Sequence, residues 1–168
     1  MPITFVPLDK AHNRSAFGCG EPALDEWFHK RAGQDERRNV ARVFVALDGE
    51  AQIAGFYSLS AFSLSLSAVP DAIAAKLPRY DAIPAALIGR LARDQSYKGK
   101  DIGELLLADA IRRIVNAAAE IAMFAIVVDA KNERASAFYQ SFGFVPFPMH
   151  PERLFMLTST ATATFGKI

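Results

Sequence analysis

Ten residues, "IAMFAIVVDA" from Ile121 to Ala130, run without a charge until Asp129. An apolar run of this length, rich in β-branched residues, predicts a strand buried on both faces. Such a strand must be flanked by others and covered by helices, which points to a mixed α/β fold. The segments on either side agree. "AALIGRLARD" predicts a strand, then glycines break the pattern, and from there to about Ala119 the sequence turns helical. Leu106, Leu107, Ala110, Ile111, Ile114 and Ala118 fall on one stripe of that helix. Beyond the buried run, Asn132 and Glu133 open a second helix through Phe142, and Gly143 stops it as a left-handed cap.

The remaining elements are ordinary. "ITFVPL" alternates as a first strand, and "EPALDEWFHKRAGQDERR" carries Pro22 at a helix start with Leu24, Trp27, Phe28 and Arg31 three and four apart. Asp48-Gly49 sits between two β-rich runs, a hairpin signal. Val69 to Lys76 predicts a short helix closed by Pro78, and "RLFMLTSTATATF" a late strand. No repeat, low-complexity tract or linker interrupts the 168 residues, so one domain over 1–168 is expected.

Charge narrows the partners. Nineteen Lys and Arg against eighteen Asp and Glu leave +1, so any nucleic acid must meet a local patch rather than a global field. Lys30, Arg31, Arg37, Arg38 and Arg42 supply one such cluster, which a solvated helix face would equally explain. Cys19 is alone, which excludes an internal disulfide and fits a reducing cytoplasm. No apolar run approaches membrane-spanning length, the start lacks a signal-peptide pattern, and the three histidines are scattered without ligand spacing, so neither a membrane nor a metal is expected.

Chemistry concentrates at two places. In "YKGKDIGELLL", Gly99 and Gly103 allow positive φ and close backbone approach, and the free amides at the helix start make an anion site. Lys98 and Lys100 add charge there, while Asp101-Ile102-Gly103-Glu104 spells a capping box. In "KNERASAFYQSFGF", Ala135, Phe138, Tyr139 and Phe142 share one helix face. Ala135, Phe138 and Phe142 are expected in the core. Tyr139 differs, because a phenol needs a partner if buried and can give a proton to a leaving group.

Strand, glycine turn, helix and buried strand, followed by N-x-x-A-x-x-F-Y-x-x-x-G-F, resemble the Gcn5-related N-acetyltransferase (GNAT) family over roughly Ala85 to Phe144. "FGCGEPALDEWFHKRAGQ", "GFYSLS", "LPRYDAIPAALIGRLARD" and "LLLADAIRR" are similar to its toxin branch, whose members acetylate the amino group of aminoacyl-tRNA. The resemblance implies a mixed sheet whose strands splay at an acetyl-CoA site. Leu91, Ala92 and Arg93 would pair with pantetheine, and the turn of Lys98, Gly99, Lys100, Asp101, Ile102, Gly103 and Glu104 would take the pyrophosphate. Asn132 and Phe138 would flank the cofactor arm, Tyr139 would protonate the departing thiolate, and Leu91 and Ala92 would offer amides to the oxyanion. Arg79, Arg90, Arg93, Arg112 and Arg113 would join the basic helix end in meeting tRNA. A ribbon-helix-helix antitoxin and a homodimer are further implications.

The sequence departs from the family turn, Q/R-x-x-G-x-G/A, at Ser96 and at Asp101. A carboxylate there either points outward or opposes the pyrophosphate. The acceptor strand also offers no carboxylate before Asp94. A lysine amine, pKa about 10.4, would need a base, whereas an α-amine near 7.7–8.0 is already substantially free. Aminoacyl-tRNA therefore leads, with a small amine or protein N-terminus as a second acceptor and a CoA-binding interaction module as a non-enzymatic alternative.

Overall fold

In the computed structural model, residues 2–49 and 51–166 are described. The strands are β1 (Ile3–Pro7), β2 (Arg42–Asp48), β3 (Gln52–Ser65), β4 (Ala82–Arg93), β5 (Ala125–Asp129), β6 (Val145–Pro146) and β7 (Arg153–Leu157). The helices are α1 (Pro22–Lys30), α2 (Ala32–Arg37), α3 (Asp71–Ala74), α4 (Ile102–Ala118), α5 (Glu133–Ser141) and α6 (Thr158–Phe165). The strands form one mixed sheet in the order β1-β2-β3-β4-β5-β7-β6.

Two compact units divide the chain, one of residues 1–60 and 89–110, the other of 61–88 and 111–168. In the first, β1 and β3 pair antiparallel with β2, and the β2–β3 register shifts between Ala46 and Leu47. Its core gathers Phe17, Trp27, Phe28, Val43, Val45 and Phe56. Phe28 stacks on Phe56 with centroids 4.1 Å apart, and Phe17 meets both rings edge-on. Gly55 is needed here for contact: a Cβ would lie 2.7 Å from Leu106 and 2.8 Å from the Ala92 carbonyl oxygen.

In the second unit, Ala125 to Val128 of β5 are all buried, but residues 121–124 of the expected strand precede it, and Ile121 is 73% exposed. β5 pairs parallel with β4 over Ala85–Ile88 and antiparallel with β7 over its whole length. Leu64, Ile83, Val127, Phe147 and Phe155 form the core of this unit.

Four other expectations change. The first helix breaks at Arg31, whose φ of −119° separates α1 from α2. The late strand stops at Leu157, where the β5 register ends at Ala125, and Thr158–Phe165 coils into α6. The Thr158 amide donates to the Phe124 carbonyl and Ala161 is fully buried, so packing outweighs the β preference of the threonines. Val115, not Ala118, extends the buried stripe of α4. On α5 the expected core residues Ala135, Phe138 and Phe142 are half-buried, and Tyr139 is the buried one.

Candidate active site

β4 loses its β5 partner after Ile88, and Gly89–Arg93 continue alone on that side. The Arg90 amide donates to the Ser58 hydroxyl and the Asp94 amide to the Ala54 carbonyl, both on β3. Successive amides of a strand point to opposite edges. Leu91 and Arg93 therefore direct their N–H groups to the open edge, and Ala92 directs its own toward β3. Such an edge can bond an extended amide-bearing chain by strand-like pairing. The alternation removes Ala92 from the expected oxyanion donors and leaves Leu91.

Past β4 the chain is locked before it turns. Asp94 accepts from the Gly18 amide at 2.9 Å, the Ser96 amide at 3.0 Å and the Ser96 hydroxyl at 2.5 Å. Ser96 is thus committed to the turn's own geometry. The Tyr97 hydroxyl donates to Asp48 at 2.7 Å, and Lys100 lies over the Tyr97 ring. Burial and this bond to Asp48 push the Tyr97 phenol up to about 12.

Lys98, Gly99, Lys100 and Asp101 are exposed, and nothing lies within 4 Å of where a Gly99 side chain would begin. Gly99 has φ +80° and Asp101 has φ +58°. Gly103 instead lies within α4 with ordinary helical geometry. The capping box is not formed. Its cap residue needs extended backbone, whereas Asp101 is left-handed, and neither Asp101 nor Glu104 makes a side-chain bond among the described residues. The Asp101 carbonyl still accepts the first helical bond, from the Leu105 amide. The amides of Ile102, Gly103 and Glu104 are those that an α-helix start leaves for an anion.

The second unit carries Asn132 and Tyr139. Asn132 caps α5, its side-chain oxygen accepting from the Ala135 amide at 2.8 Å, which leaves its amide hydrogens for another partner. Tyr139 is 6% exposed, edge-on to Phe138 and Phe144. Its hydroxyl bonds to no described residue. Burial, and secondarily the charge of Asp129, push this phenol up to about 12, so it is protonated throughout the physiological range. Asp129 is itself held by Arg153 at 2.7 Å.

The arginines do not behave alike. Arg90 lies 4.0 Å above the Trp27 ring, and the Trp27 indole donates to Asp35 at 2.9 Å. Burial lowers the Arg90 pKa while the nearby Asp35 raises it, so the residue is a stacked, partly desolvated cation rather than a free surface charge. The Trp27–Asp35 pair was missed in the sequence because the break at Arg31 hides their spacing. Arg93 is half-buried with its Nε unbonded, Arg79 is exposed, and Arg112 and Arg113 are half-buried with partners of their own. Among the described residues no cluster of His, Cys, Asp or Glu could hold a metal.

An open strand edge and a helix start with free amides, both in the first unit, can take an extended amide-bearing chain and a phosphate, the chemistry of an acyl-CoA ligand. The acetyltransferase (GNAT) domain matches residues 39–146, and the chain belongs to that family. It is 35% identical over 159 residues to a tRNA-acetylating toxin of Mycobacterium tuberculosis, covering 95% of this chain and 94% of that protein. The solved structure of AtaT complexed with acetyl-methionyl-tRNAfMet matches with a TM-score of 0.89 and 29% identity, over 98% of this chain and 99% of that one. A mutant AtaT toxin bound to acetyl-CoA and the C-terminus of the antitoxin AtaR matches at 0.83 and 25%, over 99% and 100%.

Proposed function

We propose that this protein is an acetyl-CoA-dependent toxin that acetylates the α-amino group of aminoacyl-tRNA, blocks translation and is restrained by an antitoxin. The acceptor places the reaction in the cytoplasm. Arg93 holds pantetheine through its edge amide, and the Lys98–Glu104 turn holds the pyrophosphate. Asn132 and Phe138 flank the cofactor arm. Leu91 N–H meets the oxyanion as the amine attacks the thioester carbon. Tyr139 gives its proton to the sulfur as the carbon–sulfur bond breaks.

The observation that carries the acceptor class is the state of Asp94. β4 itself, Ala82–Arg93, carries no carboxylate, and Asp94, the residue after it, is occupied by three hydrogen bonds from Gly18 and Ser96. Asp35 likewise accepts from the Trp27 indole. An amine that is already neutral near pH 7 suits such a site, and an α-amine qualifies where a lysine does not.

The test is Tyr139→Phe assayed on charged tRNA by mass spectrometry of the aminoacyl ends. The ring and its packing persist, so acetyl-CoA affinity and folding should hold while turnover falls by roughly 10²–10⁴. A folded variant within a few-fold of wild type refutes the role of Tyr139. Wild-type protein that binds acetyl-CoA but leaves charged tRNA unmodified refutes the acceptor.

A further inference from the structure

The loop between β1 and α1 lines an open surface cavity of about 550 Å³ that the reaction described above does not use. Lys10, His12, Arg14 and His29 line it together with Asn13 and Ser15. Lys10, Arg14 and His12 give it free donors. The Asp9 amide donates to His12 Nδ1, which leaves His12 with Nε2–H. His29 Nε2 donates to the Phe17 carbonyl at 2.7 Å. Arg14 spends one N–H on the Phe28 carbonyl and keeps the rest. The neighbouring Asp9 carboxylate is turned to the Ala11 amide.

Beside the cavity a second guanidinium closes in. Arg37 Nη1 and Arg14 Nη2 lie 3.3 and 3.4 Å from the point where a Gly33 side chain would begin. Neither arginine has a carboxylate partner among the described residues. Burial, and then the charge of Arg37, lower the pKa of Arg14, the signature of a cation held against its preference. Convergent, unneutralised guanidiniums next to an ammonium and the free Nε2–H of His12 match the several acceptor oxygens of a phosphate. A small apolar ligand is excluded, since Ala11 is the only hydrophobic residue in the lining.

We infer that this cavity seats a backbone phosphate of the acceptor RNA. The inference rests on the function proposed above for the acceptor, and the fold supplies the link. The same loop is tied at Gly18 to Asp94 and Gln95, which lead into the donor turn. RNA held at Lys10, Arg14 and Arg37 is therefore held on the unit that presents the β4 edge. The donor's own phosphates have a separate seat, because the cavity lining includes no residue between Leu91 and Glu104.

The test uses the Lys10→Gln/Arg37→Gln double variant, because both side chains are exposed and the fold survives their change. Binding of deacylated tRNA is measured across a salt series, and acetyl-CoA binding is measured alongside. The variant should bind tRNA about tenfold more weakly and lose roughly one to two from the slope of log affinity against log salt, with acetyl-CoA affinity unchanged. Unchanged tRNA affinity and slope in a variant that still binds acetyl-CoA overturns the assignment. An equal loss of acetyl-CoA affinity overturns it too, by giving the cavity to the donor. If wild-type protein binds deacylated tRNA through these residues yet does not acetylate charged tRNA, the cavity stands and the proposed reaction falls.

Discussion

Asp101 occupies a position that the backbone has shaped for glycine, and its replacement separates two effects that the sequence confounds. At φ +58° an L-residue pays about 1–2 kcal/mol, less for Asp, and glycine pays none of it. Glycine gives back about 0.5–1 kcal/mol in unfolded-chain entropy. No cap bond is lost, since the carboxylate makes none among the described residues. Asp101→Gly should thus leave stability unchanged or raise it slightly. The charge acts separately. A carboxylate about 5 Å from a phosphate costs about 1 kcal/mol at the dielectric of water and about 3 at that of a protein surface. Removing it should tighten acetyl-CoA by about fivefold or more at low salt, with the gain shrinking as screening grows. Calorimetric titration at low and high salt reads this directly. Asp101→Asn serves as the control, because it keeps a side chain that tolerates left-handed backbone and removes only the charge. A stability loss of about 1 kcal/mol in the glycine variant would mean that the side chain caps α4 after all. Equal dissociation constants for all three proteins at low salt would place the carboxylate away from the phosphate.

Gly99→Val should abolish the rise in melting temperature that acetyl-CoA produces, because a β-branched residue cannot hold φ +80° and would fill the open space over the turn; a retained shift refutes the pyrophosphate seat. Gly55→Ala should cost about 1–3 kcal/mol in denaturant unfolding, since its Cβ would meet Leu106 and the Ala92 carbonyl below 3 Å; a neutral result would mean that β3 and α4 yield. Tyr97 and Tyr139 both bind their protons more tightly in the folded chain, so stability should be full below pH 10 and fall as pH rises toward 12. Tyr139→Phe should flatten part of that fall, worth about 2–3 kcal/mol for the deeply buried ring, and an unaltered alkaline profile would contradict the burial account.

The parts of this fold that rest on backbone chemistry were legible in the sequence. The Asp48-Gly49 hairpin, the Gly143 cap at φ +102° and Gly99 at φ +80° appear where turn residues put them, while the apolar run yields a strand only over its second half, Ala125–Asp129. What failed depends on contacts made by distant residues. Thr158–Phe165 has the composition of a strand, but only the end of the β5 ladder decides that it cannot be one. Asp101 and Glu104 match a capping box in spelling, yet the turn fixed by Asp94, Ser96 and Tyr97 delivers the chain in a left-handed residue. Tyr139 shares its helix face with three apolar residues, and spacing cannot rank their burial. Trp27, Asp35 and Arg90 meet through packing that no local pattern encodes.

In the proposed mechanism a phenol as weakly acidic as Tyr139 has to serve as the acid. Near pKa 12 it never releases its proton to water at neutral pH. A departing thiolate resembles a thiol of pKa about 8.5, so leaving phenolate behind would be uphill by about 3.5 units, or close to 5 kcal/mol. The donation is feasible only if Tyr139 is reprotonated in the same passage. The proton for that comes from the attacking amine, which becomes strongly acidic once its nitrogen bonds to the acetyl carbon. An amine that arrives neutral and leaves as an amide needs no base to strip it beforehand, and the proton it sheds is the one that the sulfur takes up. On this account, the missing base on β4 and the high proton affinity of Tyr139 are one requirement. A stronger acid at position 139 would lose its proton before the thioester opened, and a free carboxylate beside the acceptor would divert the proton that the phenol must recover.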